Sequence, residues 1–253
     1  TDTENKTSAD EKWPGSHKWF SNPSQDRHPS ISVVDIDRDG FDDLYIMDRW
    51  RKNVLLRNRQ DGTFENIAAN VGLDFEGHCT TAIFADFDND GDSDLFLGRS
   101  LKPSLFLENV DGQFVDRSET SVAVRMPSLV TSAAAADYNG DGLLDIYFST
   151  YAAHLLESEI SDWSGDRDKL LLDDFLSKKD AGQLSDLIDS QENHRYFKFF
   201  GPPNVLLVNK GGGKFDIAPE NQQLQTWRHT YQATWGDFDA DGDPDLYVAN
   251  DFS

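Results

Sequence analysis

An all-β fold, a β-propeller of four-stranded blades with a helical insertion in the third, is what three features of this sequence predict. A nine-residue acidic phrase is written four times: DIDRDGFDD from Asp35, DFDNDGDSD from Asp86, DYNGDGLLD from Asp137 and DFDADGDPD from Asp237. Its first residue recurs after 51 residues, after 51 again and then after 100, and a period near 50 is that of a blade-like repeat. Short β-branched or aromatic runs flank the copies, which places each phrase in the turn between two strands.

In the first repeat, residues 31–34 lead in and residues 44–46 lead out. A second phrase, NVLLRNRQDGTF from Asn53, supplies two more strands joined at Asp61-Gly62, a dipeptide that favours hairpin turns. Four antiparallel strands make one blade. The second repeat copies the first, with residues 81–84 and 95–97 around its acidic phrase and PSLFLENVDGQF from Pro103 turning at Asp111-Gly112. In the third, residues 146–148 follow the acidic phrase, but NVLLVNKGGGKF begins only at Asn204 and turns at Gly212-Gly213.

The step from the first loop aspartate to the second asparagine of that phrase is 23 residues in repeats one and two and 72 in repeat three. The difference is an insertion between the second and third strands of blade three. Within residues 152–203, Leu171 and Phe175, Leu172 and Leu176, then Leu184, Leu187 and Ile188 fall at helical intervals, and Asp180 with Gln183 reads as a capping box. This helical segment is either a recognition element or a packed decoration. A fourth repeat begins at Thr230 and reaches residues 246–248, its second strand. The organisation is therefore an N-terminal arm (1–30), blades one, two and half of three (31–151), the insertion (152–203), and the rest of blade three with the start of blade four (204–253).

Each acidic phrase places an oxygen-bearing side chain at positions 1, 3, 5 and 9 and glycine at position 6. That pattern is a calcium cage. Ca²⁺ takes six to eight hard oxygen ligands, which such a loop supplies from alternate carboxylates and a backbone carbonyl at position 7. Four sites follow: Asp35, Asp37, Asp39 and Asp43 with the Phe41 carbonyl; Asp86, Asp88, Asp90 and Asp94 with that of Asp92; Asp137, Asn139, Asp141 and Asp145 with that of Leu143; Asp237, Asp239, Asp241 and Asp245 with that of Asp243. The third is expected to be weakest, because Asn139 replaces a carboxylate. An EF-hand is excluded: it needs a bidentate Glu at position 12, where this chain has Ile46, Leu97, Phe148 and Val248.

The D-x-D-x-D-G-x-x-D loop followed by N-x-L-x-x-N-x-x-G-x-F resembles the FG-GAP/VCBS repeat of integrin α-chain-type propellers. DLYVANDF at the C-terminus and FGPPNVLLVN after the insertion resemble the branch of the cartilage acidic protein and ASPIC/UnbV-type family. The resemblance implies an extracellular, calcium-binding propeller, commonly of seven blades. Three complete blades and one begun are about half of such a ring, so the chain is expected to be part of a propeller that another chain or segment completes. Residues 1–30 closing a four-bladed ring are the alternative.

A formal net charge of −23 and a pI near 4.4 argue against nucleic acid and anionic membrane surfaces, which call for clustered Lys and Arg. Fifteen of the 46 acidic residues sit in the four cages, so the acidity is in part the metal site itself. No apolar run reaches membrane-spanning length. Extracellular calcium fills modest sites that cytosolic calcium leaves empty, which predicts a secreted, extracellular or periplasmic setting. The single cysteine, Cys79, excludes an internal disulfide and reads as a small buried residue at a strand start. His78 and His229 each lie eight residues before a loop aspartate and His28 lies seven before, a register that would bring the three to the channel mouth. Trp13, Trp19, Trp227 and Trp235 offer a carbohydrate-stacking surface or, more ordinarily, packing between sheets. No nucleophile or metalloprotease motif appears, so the expected function is non-catalytic adhesion, recognition or assembly with a protein or glycan partner. A polysaccharide-active enzyme on the same scaffold, a lyase or hydrolase, is the alternative.

Overall fold

Each acidic phrase joins two antiparallel strands, and the strands then pair in chain order. The computed structural model describes residues 30–48, 51–77, 79–100, 102–151, 202–224 and 228–251. β1 (Ser30–Val34), β2 (Asp43–Met47), β3 (Val54–Asn58) and β4 (Phe64–Asn66) form the first sheet. β5 (Cys79–Ala85), β6 (Asp94–Arg99), β7 (Leu105–Val110) and β8 (Gln113–Asp116) form the second. β9 (Val130–Ala136), β10 (Asp145–Thr150), β11 (Val205–Asn209) and β12 (Phe215–Ile217) form the third, and β13 (His229–Gly236) pairs with β14 (Asp245–Asp251) in a fourth. All pairings between these strands are antiparallel meanders, the all-β organisation expected from the repeat.

The described helices are single turns, α1 (Ala68–Val71), α2 (Ser118–Ser121) and α3 (Asn221–Leu224), each following the last strand of a sheet. The N-terminal arm to residue 29 and the predicted helical positions of the insertion lie outside the described residues. The turn at Asp111-Gly112 is the two-residue hairpin its sequence favours, with both residues at positive φ (53° and 81°). The other two hairpins are wider: five residues separate β3 from β4 and β11 from β12, closed by Arg59 N–H to Thr63 O (3.0 Å) and Lys210 N–H to Lys214 O (2.6 Å). In the first of these Gln60, not Asp61, joins Gly62 at positive φ.

Period-two alternation sends neighbouring side chains to opposite faces, so the cores lie between sheets. Leu95 and Leu97 of β6 pack with Tyr45, Met47 and Leu55 of the first sheet. Phe96 between them turns the other way, onto Phe148 and Phe215 of the third. Tyr147, Leu206 and Val208 then meet Ala233 of the fourth. Trp235 is part of this last layer: it stacks on Tyr138 and donates from Nε1 to Ala134 O (3.3 Å), so it packs between sheets, while Trp13, Trp19 and Trp227 lie outside the described residues. Cys79 is buried at the start of β5, as its sequence context predicts.

The first strands of successive sheets lie side by side, β1 by β5, β5 by β9 and β9 by β13. Each of the last three carries one extra residue at the same register, Thr80, Thr131 or Tyr231, where the ladder slips. The bulged threonines reach the next sheet: Thr80 Oγ1 donates to Val130 O (2.7 Å) and Thr131 Oγ1 to Thr230 O (2.9 Å). Gly98 sits against this junction. A Cβ there would stand 2.5 Å from Thr81 Cγ2 and 2.8 Å from Val130 Cγ1. Gly98→Ala is therefore expected to destabilise the fold by about 1–3 kcal/mol through overpacking, read as a lower urea midpoint. An unchanged midpoint would mean that the inner strands part without cost.

Exposure differs between the inner and the outer described sheets. Tyr45, Phe96 and Tyr147 occupy one register position and are 0 %, 0 % and 1 % exposed, each covered by the following sheet, whereas Tyr247 at that position is 62 % exposed. Phe238 is likewise 61 % exposed where its counterpart Phe87 is fully buried. At the other end Ile31 and Val33 of β1 face solvent, although their counterparts Ala82 and Phe84 pack onto the first sheet.

Candidate metal centres

Two left-handed residues fold each acidic phrase into a ring. Position 6 is glycine in all four, with φ between 86° and 98° at Gly40, Gly91, Gly142 and Gly242. Position 4 is also left-handed: Arg38 (56°), Asn89 (63°), Gly140 (71°) and Ala240 (63°). The sequence pointed to position 6 alone, because the four side chains at position 4 share no chemistry. A non-glycine residue in this conformation costs about 1–2 kcal/mol, so the surrounding hydrogen bonds must hold it.

Those bonds repeat in every copy. The position-1 aspartate accepts the position-5 amide on Oδ1 (Asp39, Asp90, Asp141 and Asp241 N–H, 2.9–3.1 Å) and the position-6 glycine amide on Oδ2 (2.8–3.1 Å). The position-5 carboxylate in turn accepts the position-7 amide, from Phe41, Asp92, Leu143 and Asp243 (2.9–3.0 Å). The backbone thereby turns its carboxylates toward one point. One ligand atom from each of Asp35, Asp37 and Asp39 lies within 4.8 Å of the others, and the same holds for Asp86, Asp88 and Asp90, and for Asp237, Asp239 and Asp245. In the third loop Asp137 and Asn139 converge on the Asp141 amide, both at 2.9 Å. Around the first loop Arg57 Nη1 stands 4.0 Å from Asp37 Oδ2, and Gln60 Nε2 donates to Asp39 Oδ2 (2.8 Å).

Position 9 has a second role that the spacing did not reveal. Asp43, Asp94 and Asp145 are buried at the start of the outgoing strand, and each accepts two backbone amides. One comes from loop position 2, from Ile36, Phe87 or Tyr138 (3.1–3.3 Å). The other comes from the second asparagine of the repeat phrase: Asn58 (2.7 Å), Asn109 (2.9 Å) and Asn209 (2.7 Å). The side chain of that asparagine also bonds the carbonyl at position 8, from Asp42, Ser93 or Leu144. In the first two loops position 9 thus floors the ring while positions 1, 3 and 5 gather; in the fourth, Asp245 joins the gathered set. A carboxylate oxygen keeps a second lone pair after one hydrogen bond, so the two roles are compatible.

Burial, then crowding by like charge, perturbs these acids. Asp94 is pushed up to about 7 and Asp145 to about 6, in both cases chiefly by desolvation, with Asp88 and Asp92 or Asp141 and Asp137 adding repulsion. Asp43, Asp88 and Asp92 are raised for the same first reason. A divalent cation fits this set: all donors are hard oxygens, they are pre-gathered, and Asp92 Oδ1 is buried without a hydrogen-bond donor. His229 belongs to none of these groups. It is buried against the Tyr151 ring (4.2 Å between centroids), and His28 and His78 lie outside the described residues.

Comparison with known proteins agrees with the loop geometry. The model of the FG-GAP-like repeat matches residues 35–97 and again 86–148. Cartilage acidic protein 1 of Xenopus tropicalis is 32 % identical over 125 residues, and that of Homo sapiens is 33 % identical over 125 residues; each match covers 48 % of this chain and 19 % of the relative. The Mus musculus protein is 30 % identical over the same length. The chain thus spans about a fifth of the length of these relatives. With their loops, asparagine phrases and four-stranded sheets in register, residues 35–148 of this chain carry FG-GAP-like repeats.

Proposed function

We propose that this chain is a calcium-binding part of a β-propeller, commonly seven-bladed, that acts outside the cell or in the periplasm as a non-catalytic recognition, adhesion or assembly module for a protein or glycan. The observation that carries the reading is the convergence of three carboxylates in each of three acidic loops, at positions 1, 3 and 5 of the first two and 1, 3 and 9 of the fourth. Bound Ca²⁺ supplies the positive charge that such rings otherwise lack. The side-chain oxygens of Asp35, Asp37 and Asp39 hold the first ion, those of Asp86, Asp88 and Asp90 the second, those of Asp137, Asn139 and Asp141 the third, and those of Asp237, Asp239, Asp241 and Asp245 the fourth. The position-7 carbonyls of Phe41, Asp92, Leu143 and Asp243 and the remaining position-9 acids Asp43, Asp94 and Asp145 complete them.

Further blades cover Tyr247 and Phe238 on one side and Ile31 and Val33 on the other, since the same registers are covered inside the chain. The relatives' name places them in cartilage, which fits an extracellular setting, and this chain shares the acidity of that name. No described helix is long and apolar enough to cross a membrane.

Isothermal titration with calcium tests the reading. Four ions per chain are expected, the weakest in the third loop, where Asn139 leaves three carboxylates; Asn139→Asp should tighten that step most. Four identical steps would remove the ranking, and no heat of binding would remove the reading. Calcium-dependent cleavage of an acidic polysaccharide would replace recognition by catalysis.

A further inference from the structure

The acidic loops touch one another across the sheet boundaries, and they do so through one register. Arg38, at position 4 of the first loop, donates from Nη1 to the carbonyl of Gly91, at position 6 of the second (2.7 Å). Asn89, at position 4 of the second, points its Nδ2 at the carbonyl of Gly142, at position 6 of the third (3.5 Å). The left-handed backbone at position 4 is what turns these side chains out of their own rings. At the same place in the third loop stands Gly140, which has no side chain to offer the fourth.

The receiving carbonyl is not an arbitrary one. The Gly91 carbonyl and the Asp92 amide belong to one planar, trans peptide group, so they point to opposite sides. The Asp92 amide holds Asp90 Oδ1 at 3.0 Å. Arg38 therefore clamps one end of a rigid unit whose other end fixes the position-5 carboxylate of the next ring. The Gly142–Leu143 peptide repeats the arrangement, with Asn89 on its carbonyl and Asp141 Oδ1 on its amide at 2.9 Å.

The geometry points to position 4 as a positioning residue for the metal site of the following sheet, so that loops one, two and three fill cooperatively while loop four fills independently. The inference rests on the calcium reading above and adds its order. Position 4 lies between two ligand positions of its own loop. An ion there fixes the backbone that carries Arg38, and Arg38 then presents the second loop with Asp90 already oriented. Preorganisation of this kind lowers the cost of the second binding event, and linkage makes the effect reciprocal. Coupling energies between sites commonly correspond to 5–150-fold in affinity; one solvent-facing hydrogen bond places this pair near the low end, about fivefold.

The four position-6 glycine amides give a separate readout for each site, because each donates to a position-1 carboxylate of its own loop. Calcium titration of the full chain, followed by the ¹⁵N–¹H signals of Gly40, Gly91, Gly142 and Gly242, measures each midpoint. Disabling loop one with Asp39→Ala, which removes the ligand oxygen, is expected to raise the Gly91 midpoint about fivefold. In an Arg38→Ala background the same substitution should leave the Gly91 midpoint where it was, whereas Arg38→Lys should keep part of the dependence. Alanine is tolerated at this position, since Ala240 occupies it in the fourth loop with a similar left-handed backbone. Gly242 should ignore all three changes. If all four glycines titrate but Gly91 is blind to the state of loop one in the unaltered chain, the coupling is wrong and the calcium reading stands; if none titrates, both fall.

Discussion

Chelation of calcium is expected to lower the melting temperature of this chain by roughly 10–20 °C, the largest change expected from any simple change of solution. With free ion about tenfold above Kd, each site stabilises the folded state by about 1.4 kcal/mol, and four give ~5–6 kcal/mol. For a domain of this size a kilocalorie is worth about 2–4 °C. The pH dependence identifies the cause. In the ion-free chain Asp94 and Asp145 have folded pKa values near 7 and 6, above the usual carboxylate range, because burial disfavours their charge. Their contribution is fully present below the unfolded value and is lost as pH rises through the folded one, between about 4 and 7. Asp61, Glu65 and Asp74 have lowered pKa values, so what they contribute is lost only as pH falls below the usual carboxylate range, and they do not reverse the order of pH 5 and pH 8. The chelated protein should thus melt higher at pH 5 than at pH 8. In excess calcium the order should reverse, because protons compete with the ion for the same oxygens. Calorimetric melts at the two pH values, with calcium or with chelator, check both signs. Curves indifferent to chelator would end the metal reading.

Phe96→Ala is expected to cost about 3–5 kcal/mol, a large share of the roughly 5–15 kcal/mol that holds an ordinary domain folded. Phe96 is fully buried, with ring centroids of Phe106, Phe87 and Phe215 at 4.7, 4.8 and 5.0 Å and Phe148 at 5.7 Å. It therefore joins two sheets and the second acidic loop, to which Phe87 belongs. The stated cost includes the cavity left among rings that have no room to collapse. Tyr247→Ala is the matched control: it stands at the same register on the fourth sheet but is largely exposed, so its effect on this chain should stay within about 0.5 kcal/mol. Urea midpoints of the two variants decide. A loss at Tyr247 equal to that at Phe96 would show that something already covers the fourth sheet.

Local spacing made much of this legible. The four loops, the strands beside them, the blade-sized repeat and the buried start of β5 at Cys79 all follow from residues close in sequence. The wide hairpins did not, because Asp61-Gly62 and Gly212-Gly213 favour a tight turn that a five-residue loop between β3 and β4, and between β11 and β12, replaces. Position 4 escaped notice for a different reason: backbone handedness is imposed by the hydrogen bonds around it, and Arg38, Asn89 and Ala240 do not advertise it. The second role of position 9 depends on Asn58, Asn109 and Asn209, which are 15 or more residues away and, in the third sheet, 64. Relations that distant are set by the sheet, which no short window contains.

The cores that lie between sheets have a wider consequence. No sheet owns a complete interior, so each is folded only while its neighbour is, and stability passes along the row like tension along a chain of linked hands. Among the described sheets, loosening is expected to begin at the outer two, where Ile31 and Tyr247 are largely exposed, and the phenylalanine layer around Phe96 is the last to let go.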